Sequence, residues 1–181
     1  LARLEFIINN YIKIHPLALL DYPNVESKTK KEIDDIIVYC QRTGAEYFIH
    51  KLARGVAKIA SSFYPKPVII RLSDFKSNEY KNLIGGQLYE PDEENPMIGW
   101  RGASRYYSNK YLKAFNLECK AMKFAIENIK MNNIILMIPF CRTPEECEKV
   151  LEVLKNNGLE RGKNDLKIYL MCEIPSNVIE S

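Results

Sequence analysis

The chain has 181 residues, of which 46% are hydrophobic and 27% charged, an ordinary globular composition with enough residues for one core. Its net charge of +3 is small and interspersed, which argues against DNA or RNA as a partner. No apolar run approaches the roughly 18 residues that a membrane span needs, so no membrane association is expected. Five cysteines without metal-ligand spacing predict a reduced, cytoplasmic protein.

Two helices are predicted in the first third of the chain. Apolar residues recur at helical spacing over residues 27–40, which indicates the first helix. The second helix should begin after Thr43, because Thr43 and Glu46 have the spacing of a capping box. It should stop before Pro65, since proline interrupts a helix.

The rest of the chain alternates apolar strands with amphipathic helices. Apolar runs predict strands over residues 68–72, 133–140 and 166–174. Helical spacing covers residues 112–129, and a further helix should start at Thr143 and Pro144 and end at Asn157 and Gly158. Strands that are nearly all apolar and alternate with helices indicate an α/β fold with a parallel sheet.

The connection over residues 75–107 is too long for an ordinary loop in a compact domain, so we expect a functional loop with a short strand near Trp100. Within it, Gly99 and Gly102 flank Arg101 and would let the backbone approach a ligand closely. The alternative is that Arg101 is merely solvated. Trp100 is expected to pack under the loop.

Charged residues follow directly on the apolar strands, and this is where α/β proteins place their chemistry. Arg71 ends one strand with Asp74 just beyond, Glu173 follows another, and Arg3 and Glu5 lie where an N-terminal strand would end. Arginine suits phosphate or carboxylate, and glutamate offers an oxygen ligand for Mg²⁺. The combination suggests phosphoryl chemistry, although structural ion pairs would produce the same pattern.

Several other polar residues are interpreted as structural. Neither His15 nor His50 has a sequence neighbour suited to nucleophilic or metal chemistry, so neither receives a role. Cys119 and Cys147 lie on apolar helix faces and are expected to be small core residues. The acidic run over residues 92–94 is expected to be solvated surface.

Three long runs of the sequence resemble the phosphoenolpyruvate (PEP) synthases, members of the PEP-utilising enzyme family. They are RLSDFKSNEY at residues 71–80, YEPDEENPM at 89–97 and GWRG at 99–102. The resemblance continues from LARLEFI at the N-terminus to MCEIPSN at residues 171–177. It implies an incomplete (β/α)₈ TIM-type barrel that binds PEP and pyruvate, with about the first five strands and their helices forming a single partial domain over residues 1–181.

The resemblance also implies a reaction and a site. In such enzymes ATP phosphorylates a histidine on a mobile domain, and the phosphohistidine then converts pyruvate to PEP, leaving AMP and phosphate, in gluconeogenesis. The matching residues Arg3, Arg71 and Arg101 are expected to hold the transferring phosphoryl group. Glu173, which matches the glutamate of the family's fifth strand, is expected to bind substrate through a Mg²⁺ ion.

Other parts of such an enzyme are expected outside these 181 residues. They are the ATP-grasp and phosphohistidine domains, a second Mg²⁺ ligand in a Gly-Ser-Asn-Asp segment and a cysteine in a Gly-x-Cys-Gly loop. The chain alone is therefore expected to be inactive, and the full-length protein to be a homodimer. Two alternatives remain open: a pyruvate phosphate dikinase, and a non-catalytic fragment that serves dimerisation or assembly.

Overall fold

The computed structural model describes residues 1–38, 40 and 42–180, and within them four parallel strands form one sheet. Their order in the sheet is their order in the chain, and Arg3 of the first strand is in register with Arg71 of the second. The strands are β1 (Ala2–Arg3), β2 (Val68–Arg71), β3 (Ile134–Ile138) and β4 (Lys167–Leu170).

In the described part of the chain, helices make every connection between consecutive strands, and one more helix follows β4. They are α1 (Leu4–Ile7), α2 (Pro16–Asp21), α3 (Ser27–Ile37), α4 (Gly44–Phe63), α5 (Ser77–Lys81), α6 (Ala103–Tyr106), α7 (Leu112–Lys123), α8 (Pro144–Asn156) and α9 (Ser176–Ile179). Two π-helical segments, Ile8–Ile12 and Phe124–Asn128, continue α1 and α7. Two 3₁₀ turns occupy Gly86–Leu88 and Lys163–Asp165.

The core lies between the sheet and the helices α4 and α7. The helices α4 and α7 pack on each other, and α4 also contacts β2. Fully buried apolar residues from all three elements meet there, including Leu52, Val56, Ile70, Phe115 and Met122. Burial of this apolar surface is the main free-energy term that holds the layers together.

Local sequence signals place the helix ends as predicted. The Thr43 hydroxyl accepts the Glu46 amide at 3.3 Å, and the Glu46 carboxylate accepts the Thr43 amide at 3.1 Å, so the capping box is confirmed. Helix α4 ends at Phe63, before Pro65. Helix α8 begins at Pro144 as predicted, whereas α3 ends at Ile37 and leaves Cys40 outside it.

The α/β class and the parallel sheet are confirmed, but the strand expected near Trp100 is wrong. The described residues form no strand there, because side chains occupy both backbone groups of Trp100. Its amide donates to Glu93 Oε1 at 2.9 Å, and its carbonyl accepts from Arg105 Nε at 2.8 Å. The described residues therefore contain four strands, not five, and the closed barrel stays a prediction.

The predicted strand boundaries were too generous at the carboxyl ends. Strand β3 ends at Ile138 and β4 ends at Leu170, so residues 139–140 and 171–174 belong to the loops beyond the sheet. Among the residues that the structure describes, no helix is both long enough and apolar enough to cross a bilayer.

Candidate functional site

A cleft of about 400 Å³ opens at the carboxyl edge of the sheet, and all four predicted site residues line it. Arg3 and Arg71 are the last residues of β1 and β2. Glu173 lies three residues beyond the end of β4, and Arg101 comes from the long loop before α6. The parallel order of the strands brings these residues together, because parallel strands end at a common edge.

Arg71 is held in place by two carboxylates. Its Nη2 donates to Glu5 Oε1 at 2.6 Å, and its Nη1 lies 3.8 Å from Asp74 Oδ2. The same Glu5 oxygen also accepts the Asp74 amide at 2.8 Å. Glu5 follows β1 in α1, so this contact ties the end of β1 to the end of β2. Sequence reasoning noted Glu5 and Asp74 beside the strand ends but assigned neither a role.

Asp74 also holds Arg101. Arg101 Nε and Nη2 donate to the two Asp74 oxygens at 3.0 and 2.7 Å, a bidentate pair. Burial by itself lowers the Arg101 pKa, but the hydrogen bonds to Asp74 together with the negative charges of Asp74, Glu173 and Glu79 outweigh it, so the pKa is raised. The guanidinium lies 4.4 Å from the centre of the Phe140 ring. The loop arginine is therefore oriented and is not simply solvated.

The other two predicted residues are more open to solvent. Arg3 is exposed, with its guanidinium 4.6 Å from the centre of the Phe6 ring. Glu173 is also exposed, and its Oε1 accepts the Phe140 amide at 2.8 Å, which orients the carboxylate. Both side chains are thus accessible to a ligand that enters the cleft.

Charge in the cleft is balanced rather than uniformly positive. Four cations line it, Arg3, Arg71, Lys76 and Arg101, together with four carboxylates, Glu5, Asp74, Glu79 and Glu173. Two buried atoms in this set, Arg71 Nε and Glu5 Oε2, have no hydrogen-bond partner among the described residues. An unpaired buried N–H group costs free energy, so Arg71 Nε is a donor that a ligand oxygen could satisfy.

The sequence model of the PEP-binding domain of the PEP-utilising enzymes matches residues 2–180. The chain belongs to this family. It is 56% identical over 180 residues to a phosphoenolpyruvate synthase of Synechocystis sp., and 56% identical over 179 residues to one of Deinococcus radiodurans. A phosphoenolpyruvate synthase of Escherichia coli (strain K12) is 50% identical over 179 residues.

Each of these alignments covers 99% of the chain but only a small part of the relative. The chain spans 22% of the Synechocystis and Escherichia coli proteins and 23% of the Deinococcus protein. The predicted resemblance to the phosphoenolpyruvate synthases is thus confirmed for this PEP-binding domain sequence.

A buried cluster braces the loop that carries Arg101 in this PEP-binding domain. Glu90 forms a bidentate ion pair with Arg105, and its Oε1 also accepts His15 Nε2 at 3.1 Å. His15 Nδ1 accepts the Leu17 amide, so Nε2 carries the proton in neutral His15. Burial lowers the His15 pKa although Glu90 opposes this. The Arg105 guanidinium lies within 5.0 Å of three ring centres, those of Tyr80, Trp100 and Tyr111.

The sequence did not predict this cluster, because it indicated no partner for His15. It also indicated no structural role for the acidic run over residues 92–94. Glu90 lies 75 residues from His15, and no local pattern links them. Within the acidic run, Glu93 accepts hydrogen bonds from both Ser77 Oγ and the Trp100 amide. Trp100 packs on Arg105 within the loop, in line with the structural role expected of it.

For a metal ion the described residues offer few protein ligands. His, Cys, Asp and Glu side chains in this part of the chain form no group of three or more that could hold a metal. Glu173 does present an oriented, solvent-accessible carboxylate. Mg²⁺ is commonly bound by one or two carboxylates with water and substrate oxygens completing the shell, so Glu173 fits as one ligand of a shared site.

Proposed function

We propose that this chain is the PEP- and pyruvate-binding part of a phosphoenolpyruvate synthase. The proposed reaction transfers a phosphoryl group from ATP, through a phosphohistidine, to pyruvate and yields PEP, AMP and phosphate. The observation that carries the proposal is the cleft where Arg3, Arg71, Arg101 and Glu173 meet. The sequence identity of 50 to 56% with proteins named phosphoenolpyruvate synthase supports the same assignment.

The three arginines would bind and orient the phosphoryl group during transfer. Phosphoryl transfer depends mainly on positioning and on neutralising oxygen charge, which fixed guanidinium groups supply. Glu5 and Asp74 hold Arg71, and Asp74 holds Arg101, so both would be oriented before substrate arrives. Arg3 is exposed at the cleft and would close on the phosphoryl oxygens from the β1 side.

Glu173 would bind Mg²⁺ together with the carboxylate and carbonyl oxygens of pyruvate. The ion would supply Lewis-acid stabilisation of the negative charge that forms when pyruvate loses a methyl proton. The Phe140 amide keeps one Glu173 oxygen in place at 2.8 Å. A second protein ligand, the proton-exchanging cysteine, and the ATP and phosphohistidine domains are expected in the complete protein outside this chain.

Four further expectations stay predictions. We expect ATP to bind a separate domain, the enzyme to be a cytoplasmic homodimer, and the 181-residue chain to show no turnover by itself.

A pyruvate phosphate dikinase differs in consuming phosphate and releasing pyrophosphate. The assembly-fragment alternative draws support from the exposed Tyr169 and Leu170 on the edge strand β4.

The test is to supply the complete protein with ATP, Mg²⁺ and pyruvate, with and without added phosphate, and to follow the phosphorus species by ³¹P NMR. Equal amounts of AMP, phosphate and PEP support the synthase. Release of pyrophosphate, with consumption of added phosphate, would identify a dikinase instead. Absence of turnover in the complete protein would leave the assembly role.

A further inference from the structure

Ser73 follows β2 and directly precedes Asp74. Its amide, hydroxyl and carbonyl groups all form hydrogen bonds. Its amide donates to Glu118 Oε1 at 2.9 Å, and its hydroxyl donates to Glu118 Oε2 at 2.6 Å. Its carbonyl accepts the Tyr106 hydroxyl at 2.6 Å. Ser73 is therefore a junction between the site segment and the helices α6 and α7.

Glu118 is an unusual residue for the place it occupies. It lies in α7, only 1% exposed, among apolar residues of the core. Burial raises its pKa to about 7, although the two hydrogen bonds from Ser73 oppose the rise. Replacing a buried charged group by a well-packed apolar side chain is often neutral or stabilising, so packing alone does not require a carboxyl group at this position.

The chain of hydroxyl groups extends the junction further. Tyr80 donates to Ser73 Oγ at 3.0 Å, and Tyr111 donates to the Tyr80 hydroxyl at 2.6 Å. The rings of Tyr80 and Tyr111 also contact the Arg105 guanidinium, which pairs with Glu90 in the cluster described above. The segment after β2 and the loop that carries Arg101 thus share one buried polar network, and polar networks of this kind favour a single arrangement.

The next residue explains why this arrangement bears on the cleft. Asp74 binds Arg71 and Arg101 with its carboxylate, and its amide is held by Glu5. Two successive amides, those of Ser73 and Asp74, are thereby fixed by carboxylates from α7 and α1. A shift of Ser73 would move Asp74 and both arginines, and displacement by about 1 Å costs up to about a hundredfold in rate.

We propose that Glu118 is a positioning residue, which holds Ser73 so that Asp74 presents Arg71 and Arg101 to the transferring phosphoryl group. The proposal rests on the proposed function. Glu118 does not line the cleft and acts only through Ser73 and Asp74. A purely structural role for Glu118 would change stability without a selective effect on turnover.

The test compares substitutions in the complete protein. Glu118→Ala is expected to lower kcat at least about tenfold, with a smaller change in the KM for pyruvate. Glu118→Gln keeps a carbonyl acceptor for the Ser73 amide and should recover most of the activity. Ser73→Ala, which keeps the amide contact but loses the hydroxyl, should fall between them. These two variants carry the test if Glu118→Ala does not fold.

The matched control is Asn133→Ala. Asn133 is also buried, and its Nδ2 donates to the Ala60 and Lys66 carbonyls, both at 2.9 Å. It lies just before β3, at the opposite edge of the sheet from the cleft. It should lose stability as Glu118→Ala does while keeping kcat near the wild-type value. Equal loss of kcat in the two variants, or a kcat within about twofold of wild type for Glu118→Ala, would overturn the proposal.

A second measurement does not depend on catalysis. Amide hydrogen exchange at Ser73 and Asp74 should be faster in Glu118→Ala than in Asn133→Ala, because only the first removes the acceptor of the Ser73 amide. If the wild-type protein makes no PEP, the proposed function fails and the catalytic part of this inference fails with it. The exchange result then still decides whether Glu118 holds the segment, and unchanged exchange would refute that.

Discussion

At the scale of single residues, the sequence left two interpretations of the charged residues open: a phosphoryl-binding site or structural ion pairs. The arginines of the cleft fit both. Arg71 and Arg101 are in ion pairs, which is the structural interpretation, yet they share Asp74 inside the cleft where a ligand would bind. Ion pairing here fixes the direction of two guanidinium groups. A fixed charge stabilises a transition state better than a mobile one, because it needs no reorganisation during the reaction.

Removing Arg71 should therefore weaken stabilisation of the transition state more than it weakens substrate binding. In the complete protein, Arg71→Ala is expected to lower kcat/KM at least about a hundredfold, corresponding to about 2.7 kcal/mol of lost transition-state stabilisation. Steady-state kinetics with pyruvate measures the loss. Arg54→Ala, which removes an exposed arginine from α4, is the control and should leave kcat/KM unchanged. A loss below about tenfold would remove Arg71 from the site.

Glu118 should give the stability of the chain a measurable pH dependence. Its pKa rises from an ordinary 4.5 to about 7 on folding, so the folded state keeps a proton that the unfolded chain releases. This contribution is fully present below pH 4.5 and is lost as pH rises to about 7. At about 1.4 kcal/mol per pKa unit it amounts to about 3 kcal/mol.

The measurement is urea unfolding of the 181-residue chain at about pH 5 and about pH 8, on either side of the folded-state pKa, compared with Glu118→Gln. His15 acts in the opposite direction, since its lowered pKa removes stability as pH falls below 6.5. The difference between wild type and Glu118→Gln cancels the His15 contribution. From about pH 5 to about pH 8, the free energy of unfolding of the wild-type chain should fall by about 2 to 3 kcal/mol relative to that of Glu118→Gln. A constant difference would show that the carboxyl group does not titrate in this range.

At the scale of elements, the long loop before α6 shows why local sequence reasoning failed there. The loop has no strand among the described residues, and side chains from distant positions hold it instead. Glu90, near the beginning of the loop, pairs with Arg105 of α6, while Gly102 at its end turns back against Pro139 and Phe140 with φ of +58°. Such a loop is ordered without regular hydrogen-bonding patterns, so its sequence resembles that of a mobile one.

Gly102 is the position where this loop is most sensitive. A Cβ atom there would lie 2.6 Å from Phe140 Cβ and 2.7 Å from the Pro139 carbonyl oxygen, and the backbone angles, φ of +58° and ψ of −135°, are ones that only glycine adopts readily. Gly102→Ala is expected to lower the free energy of unfolding by about 3 kcal/mol, from backbone strain and steric overlap together. Urea unfolding of the 181-residue chain measures it.

The matched control is Gly162→Ala. Gly162 has φ of +83°, but a Cβ atom there would meet nothing within 4 Å. It should lose only about 1 kcal/mol, the cost of the left-handed backbone alone. In the complete protein Gly102→Ala should also lower kcat, because Arg101 is the adjacent residue. Equal stability losses in the two variants would show that the loop does not pack on residues 139–140 as described.

At the scale of the whole molecule, the sheet that the described residues form has β1 and β4 as its outer strands. Strand β4 exposes Tyr169 and Leu170, 41% and 43% accessible, beside unpaired backbone groups. An exposed apolar edge favours association with another chain. The 181-residue chain on its own should therefore associate as its concentration rises.

Sedimentation velocity over a range of concentrations tests this expectation. Tyr169→Lys places a charge on the exposed edge and should shift the chain towards the monomer. Leu88→Lys changes a residue that is 52% exposed but lies in a 3₁₀ turn away from both edge strands, and it should have no effect. Equal effects of the two substitutions would indicate general solubility rather than edge pairing.

The sequence alone predicted the α/β class, the four longest helices, three of the four strands, the family and four of the residues that line the cleft. These depend on local patterns: helical spacing, capping boxes, apolar runs and charges at strand ends, all of which act within a few residues. Arg3, Arg71 and Glu173 could be selected because a charge that ends an apolar strand is visible without knowledge of the fold.

The tertiary structure decided which groups hold those residues. Glu118 lies 45 residues from Ser73, Glu5 lies 69 residues from Asp74, and no periodic pattern connects either pair. Hydrogen bonds and ion pairs across such separations require α1 and α7 to be brought next to the segment that follows β2. Their partners are selected by proximity and burial in the folded chain, which is why the sequence indicated the cleft but not the residues that position its arginines.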